Sequence, residues 1–222
     1  MSYKFSCFIS YPHGQKNVLV PFINKFVKGL EDEIFLQSDK GVFVDSYLEG
    51  GDRLDEEIGP NLCQSACMIL FFTPLYFTLD HVYCARELLA MQKLEEQRRN
   101  FLPDKGKGLI IPIILRGEKK FPEALKNTLY YNFTDIVDPA KMLKIKSETI
   151  RKIAQYILDR CDDLDKISEN DIPRNCETYC LPDSEEAKKY VEKVLEKKID
   201  IVPGPFPIRT EDRPTIKGQN GG

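Results

Sequence analysis

Short apolar runs, each followed by a longer stretch with helical spacing, alternate about five times through the first 160 residues, and nothing else in the chain constrains its fold as much. Phe5 to Ser10 reads as a first strand, ended by Tyr11-Pro12-His13-Gly14. From Val18 to Ile34 the residues Leu19, Phe22, Ile23, Phe26, Val27, Leu30 and Ile34 recur at helical spacing, with Pro21 tolerated in the first turn. Val42 to Asp45 is a short second strand. Leu54, Ile58, Leu62 and Ala66 form the next helical pattern, which Pro60 is expected to kink or restart. Cys67 to Thr73 is short and apolar enough for a strand buried on both faces. Asp80 is placed to cap a helix reaching about Arg99, and Lys105 to Gly108 forms a turn. Leu109 to Leu115 reads as a fourth strand, in which Pro112 argues for an edge position or a bulge. Leu129 to Phe133 is a short fifth strand, and Ile145 to Leu164 a long helix with Ile150, Ile153, Ile157, Leu158 and Cys161 on one stripe. Such alternation specifies an α/β protein with a doubly wound parallel sheet, whose ligands bind beyond the carboxyl ends of the strands.

That pattern defines a domain over residues 1–164. Residues 165–222 differ in character and read as a C-terminal extension. Asp183 with Glu186 makes a capping box, and Ala187, Tyr190, Val191, Val194 and Leu195 mark one more amphipathic helix. Pro203, Pro205, Pro207 and Pro214, with the final Gly-Gly, describe an extended or mobile tail.

Composition removes several function classes. Thirty-two Lys and Arg against thirty-five Asp and Glu leave a net charge of −3, without the basic excess that nucleic-acid binding needs. The longest apolar runs, Ala66 to Phe72 and Leu109 to Leu115, fall far short of the roughly 20 residues that span a bilayer. The first residues lack a basic region followed by an apolar stretch, so no secretory signal is expected. Seven Cys, odd in number and spread through apparent core segments, read as reduced thiols of a cytosolic protein and not as a disulfide framework. Cys63 and Cys67, and Cys176 and Cys180, stand four apart with only His13 and His81 to join them, so no metal site is expected. Gly50-Gly51 lacks the G-x-G-x-x-G context, and a dinucleotide would have to bind by a mode other than the Rossmann fingerprint.

Glu87 is the residue that invites chemistry. On a helix its neighbours one turn away are Tyr83, Cys84, Ala90 and Met91, none of them a cation. A carboxylate on the semi-apolar side of a helix that follows a strand either meets a Lys or Arg elsewhere in the fold or is functional. Asp45, at the end of the second strand, either closes a site, anchors the following loop or caps a turn. A phosphoryl-accepting receiver domain is disfavoured, because Ser10-Tyr11-Pro12-His13 supplies no acidic cluster after the first strand.

Several motifs in order resemble the TIR (Toll/interleukin-1 receptor) domain family, most closely its bacterial members, over about residues 4 to 160. They are Phe8-Ile-Ser-Tyr11, the Glu49-Gly-Gly-Asp52 loop after Val44-Asp45, Ile69 to Tyr76, Tyr83-Cys-Ala-Arg-Glu87, and Ile111-Pro-Ile113. The resemblance implies a flavodoxin-like five-stranded sheet and a BB loop at about residues 46 to 54. It also implies a glutamate, Glu87 by motif position, that enzymatic members need to cleave NAD. The chain departs from the family in having Tyr83 where Trp is common before the cysteine, and Thr73 where Ser is common after the third strand.

In that light one carboxylate is enough. Glycosidases need a second to protonate a poor leaving group, whereas the nicotinamide of NAD+ departs neutral from a cationic pyridinium. An anionic Glu87 can then position the ribose and stabilise an oxocarbenium-like charge. NAD+ is thus the expected substrate, and no further cofactor is called for. Tyr11 and Tyr83 could stack on a flat ring, and Ser10 could bond a ribose or phosphate oxygen; turn chemistry is the other reading of Ser10 and Tyr11. Arg53 is either a pyrophosphate contact or solvated surface charge. The family's habits imply self-association through TIR–TIR contacts, the alternative function being a non-catalytic interaction module. An extension too short for a typical sensor domain resembles the architecture of Thoeris-type bacterial antiphage systems. There, a cytoplasmic TIR protein makes an ADP-ribose-derived messenger for a separately encoded effector.

Overall fold

The computed structural model of the chain describes residues 3–13, 19–45, 54–122, 125, 130–134, 147–167 and 176–196. Among these, β1 (Phe5–Ser10), β2 (Gly41–Val44), β3 (Ser65–Phe72), β4 (Ile110–Ile114) and β5 (Tyr131–Asn132) pair in parallel as one five-stranded sheet. Their order, β2-β1-β3-β4-β5, is that of flavodoxin-type doubly wound sheets. The helices are α1 (Leu19–Phe35), α2 (Leu54–Cys63), α3 (Val82–Arg99), α4 (Ser147–Asp165) and α5 (Ser184–Glu196).

Strand order dictates where the helices lie. The chain leaves β1 for β2 on one side and then returns past β1 to β3. Right-handed crossovers therefore put α1 and α2 on opposite faces. Accordingly α4 packs with α1, β1 and β3, while α2 and α5 pack with α3. All eight residues of β3 and all five of β4 are buried, as strands covered on both faces must be. The stripes of α1 and α4 are buried as their spacing requires, and Phe22, Phe26, Phe71 and Phe133 meet edge-on between these helices and the sheet.

Three local expectations change, and at Pro60 a restart is excluded. β3 begins at Ser65, so Ala66 belongs to the strand and not to the preceding helix. That helix, α2, runs through Pro60 without restarting. Pro112 is neither on an edge strand nor in a bulge, since β4 pairs with β3 and β5. The backbone of Leu109 and Leu115 bonds toward β3, so by alternation Pro112 turns its missing N–H the other way, one residue before β5 pairing begins at Ile113. Asp80 does not cap α3 either. It sits in a 3-10 turn, Leu79–His81, and His81 holds the N-cap position.

The extension is moored to the α2–α3 face. Cys63, the last residue of α2, forms a disulfide with Cys176, which corrects the expectation that all seven thiols are reduced; Cys7, Cys67, Cys84, Cys161 and Cys180 are free. Next to it Gly59 leaves room for the backbone of Tyr179, whose carbonyl oxygen would lie 2.2 Å from any Cβ there. The Tyr179 hydroxyl donates to Ala90 O at 3.1 Å. Asp183 accepts from the Glu186 N–H at 2.7 Å, as a capping residue should. Ala187, Val191 and Val194 are buried, whereas Leu195, expected on the same stripe, is 41% exposed. The Pro-rich tail falls outside the described residues. No described helix is long and apolar enough to cross a membrane.

Candidate active site

In a sheet of this order the strand connections reverse direction between β1 and β3, which opens a binding position beyond their carboxyl ends. β1 ends there with Ser10, β2 is followed there by Asp45, and β3 is followed there by Thr73. The turn after Thr73, closed by Tyr76 N–H donating to Thr73 O at 3.0 Å, swings the Tyr76 ring back into the core.

Glu87 lies in the second turn of α3 and is 5% exposed. The Ser10 hydroxyl donates to its Oε2 at 2.5 Å, and since that single proton is then committed, Tyr76 donates its own to Ser10 Oγ across 2.7 Å. Burial raises the Glu87 carboxyl to about 8; the Ser10 bond opposes this, the nearby Asp45 charge adds to it, and His13 and Arg86 pull it down. Glu87 is therefore mostly protonated at neutral pH. Burial is the largest cause, so a cation placed beside it would draw the proton off.

The Asp45 side chain is 7% exposed, and its Oδ2 accepts from His13 Nε2 at 2.6 Å. Among the described residues Asp45 Oδ1 is buried without a hydrogen-bond partner. The His13 ring stacks on Tyr11, with centroids 4.8 Å apart, and its pKa is raised chiefly by the bond to Asp45. His81 Nε2 donates to the His13 carbonyl at 2.9 Å, and Thr78 Oγ1 lies 2.9 Å from His81 Nδ1.

Of the residues singled out from sequence, Ser10 and Glu87 are in direct contact. Asp45 acts on Glu87 through its charge, and Tyr11 joins the group through His13. Tyr83 is placed differently. It is 42% exposed, and its ring carries the Arg86 guanidinium 5.0 Å from its centroid. Arg53 and the Glu49–Asp52 loop lie outside the described residues. Tyr76, His13 and His81 were not foreseen as site members. The only hint was the His13 position immediately past β1; the rest depends on which strand ends the fold brings together. No group of three or more His, Cys, Asp or Glu among the described residues could hold a metal ion.

Fold and site together define a class: an α/β protein with a flavodoxin-type parallel sheet, built around a buried carboxyl group at the β1–β3 switch point. No family model matches the chain, and no curated protein matches it in sequence.

Proposed function

We propose that this protein is a TIR-type enzyme that cleaves the nicotinamide–ribosyl bond of NAD+, releasing nicotinamide and an ADP-ribose-derived product. The observation that carries the reading is Glu87, a buried carboxyl group held by Ser10 at the carboxyl edge of the sheet. A carboxyl group kept protonated by desolvation suits a cationic substrate. Entry of the pyridinium ribosyl group favours the carboxylate, and the carboxylate then opposes the positive charge that builds on the anomeric carbon as the bond breaks. Nicotinamide takes the bonding pair and leaves neutral, so no general acid is needed. Ser10, itself backed by Tyr76, orients Glu87 Oε2 and supports its ionised form.

In this reading the protein acts in the cytoplasm and self-associates to become active. Its product serves as a signal to a separate effector in antiphage defence, and neither nucleic acid nor membrane takes part. The test is nicotinamide release from NAD+ across a wide range of protein concentration. Glu87→Gln is expected to lower the rate at least about 100-fold, as loss of one preorganised electrostatic group does. Activity unchanged in that variant, or no release by the wild type at any concentration, overturns the reading. The second outcome, together with concentration-dependent oligomers, favours a non-catalytic interaction module. Full activity from a strict monomer removes the assembly step.

A further inference from the structure

Both histidines of the chain meet at the strand-end site, and bond cleavage as proposed uses neither. His13 is held three ways: its ring by Tyr11, its Nε2 by Asp45 Oδ2, and its carbonyl by His81. Any one of these would pin the end of β1. Among the described residues His13 Nε2 is the donor to the Asp45 carboxylate, whose Oδ1 is buried without a hydrogen-bond partner. Donation from Nε2 to Asp45 makes Nδ1 the atom that takes up or gives back a proton, and Nδ1 has no protein partner among the described residues. The pair also spans the boundary of the protein: the Asp45 side chain is 7% exposed and that of His13 61%. A buried carboxylate orienting an imidazole whose other nitrogen is free is the arrangement of a general base.

We infer that His13, oriented by Asp45, accepts the proton of the group that captures the ribosyl cation, so that the site transfers ADP-ribose to a held hydroxyl or ring nitrogen and not to water alone. This rests on the NAD+ reading and deepens it. The bond from the anomeric carbon to the pyridinium nitrogen breaks, and its electron pair leaves with nicotinamide. A lone pair of the acceptor then forms the new bond to that carbon, and the acceptor's proton passes to His13 Nδ1. The resulting imidazolium is stabilised by Asp45 and returns the proton to solvent. NAD+ and acceptor thus become nicotinamide, ADP-ribosylated acceptor and one proton. Bulk water can shed its proton without help. An acceptor enclosed beside Glu87 cannot, and a base that reaches from the buried site to the surface removes that obstacle.

The experiment measures nucleotide products by mass spectrometry from wild type, His13→Gln, His13→Ala and Asp45→Asn. Each is given NAD+ alone and NAD+ with methanol as a probe acceptor. The quantity read is the ratio of cyclic or conjugated ADP-ribose, methyl riboside included, to linear ADP-ribose, per nicotinamide released. Gln can still donate to Asp45 but cannot take a proton. At least a tenfold fall in that ratio is expected in both His13 variants, a smaller fall in Asp45→Asn, and recovery on adding imidazole to His13→Ala. A ratio unchanged in His13→Gln assigns the histidine to pinning the strand and overturns the inference. So does a wild type that forms only linear ADP-ribose under both conditions. A wild type that releases no nicotinamide instead overturns the NAD+ reading, and the inference falls with it. Nitrogen-15 spectra of His13 in folded wild type and Asp45→Asn test the pair without turnover; an Nε2–H tautomer independent of Asp45 contradicts it.

Discussion

The two faces of the sheet are covered in different ways. On one, α1 and α4 each bury a stripe that is apolar but for Arg160 and turn Lys, Glu and Asp to solvent, meeting in pairs such as Arg151 with Glu33. On the other, α3 lies between the sheet and the C-terminal extension, and its stretch from Cys84 to Leu88 is buried without a break. Its covered residues include Arg86, Glu87 and Arg98 beside Ala85, Leu88 and Met91. Each buried cation there has a specific task. Arg86 donates to Pro182 O at 2.7 Å. Arg98 donates to the carbonyls of Ser65 and Cys63 at 2.9 and 2.7 Å, closing the gap between α2 and β3, and its guanidinium lies 4.8 Å from the Tyr3 ring centroid. The first face rests mainly on apolar packing, although Arg160 of α4 is buried there too, paired with Asp163 at 2.8 Å. The other places charge where water is excluded, and the candidate chemistry sits there.

This contrast can be tested, beginning with Glu87. Its carboxyl lies at about 8 in the folded chain against an ordinary value of 4.5, so the folded state holds the proton more tightly than the unfolded one. Stability from this group is full below about pH 4.5 and is lost as pH rises through about 8. Denaturant titrations should show wild type losing up to about 5 kcal/mol relative to Glu87→Gln between those limits, at about 1.4 kcal/mol per pKa unit. A difference that stays flat with pH would mean that Glu87 is solvated. No such pH-dependent penalty is expected on the α1–α4 face, where the cost of substitution is in packing. Phe26→Ala, a fully buried ring edge-on to Phe71 at 5.2 Å, should cost about 4 kcal/mol at any pH. It should leave nicotinamide release per folded molecule unaltered; a specific loss of turnover would couple the faces more tightly than their packing suggests.

Smaller effects probe the extension. Cys176→Ser opens a cross-link between residues 113 apart and should cost about 3 kcal/mol. Hydrogen exchange should accelerate in α3 and α5 before α1 and α4, and uniform acceleration would mean that the extension supports the whole sheet. Least of all should come from Lys93→Ala. Its pair with Glu186 joins α3 to α5 at 2.9 Å, but both side chains are about half exposed. A loss under about 1 kcal/mol that shrinks in salt is expected, and a larger one would mean that the pair is effectively buried.

The same contrast explains what could be read in advance. The strands, the stripes of α1 and α4 and the doubly wound class follow from periodicity, because a one-sided element repeats its apolar residues at its own geometric period. Glu87 could be singled out because no cation stands one turn away from it, a local fact. What the sequence left open was whether some distant Lys or Arg answers that carboxylate. The fold answers with Ser10, 77 residues earlier, and with Tyr76 behind it. Pro112 misled because a missing N–H matters only in relation to what lies opposite it. The Cys63–Cys176 bond, the His13–Asp45 pair and the burial of α3 on both sides join residues distant in the chain, which carry no period to read. Local spacing, a matter of backbone geometry, determined the elements and the stripes they bury. Desolvation and the pairing of remote groups depend on what packs over each side chain, so only the tertiary structure could make Glu87 a proton-holding group.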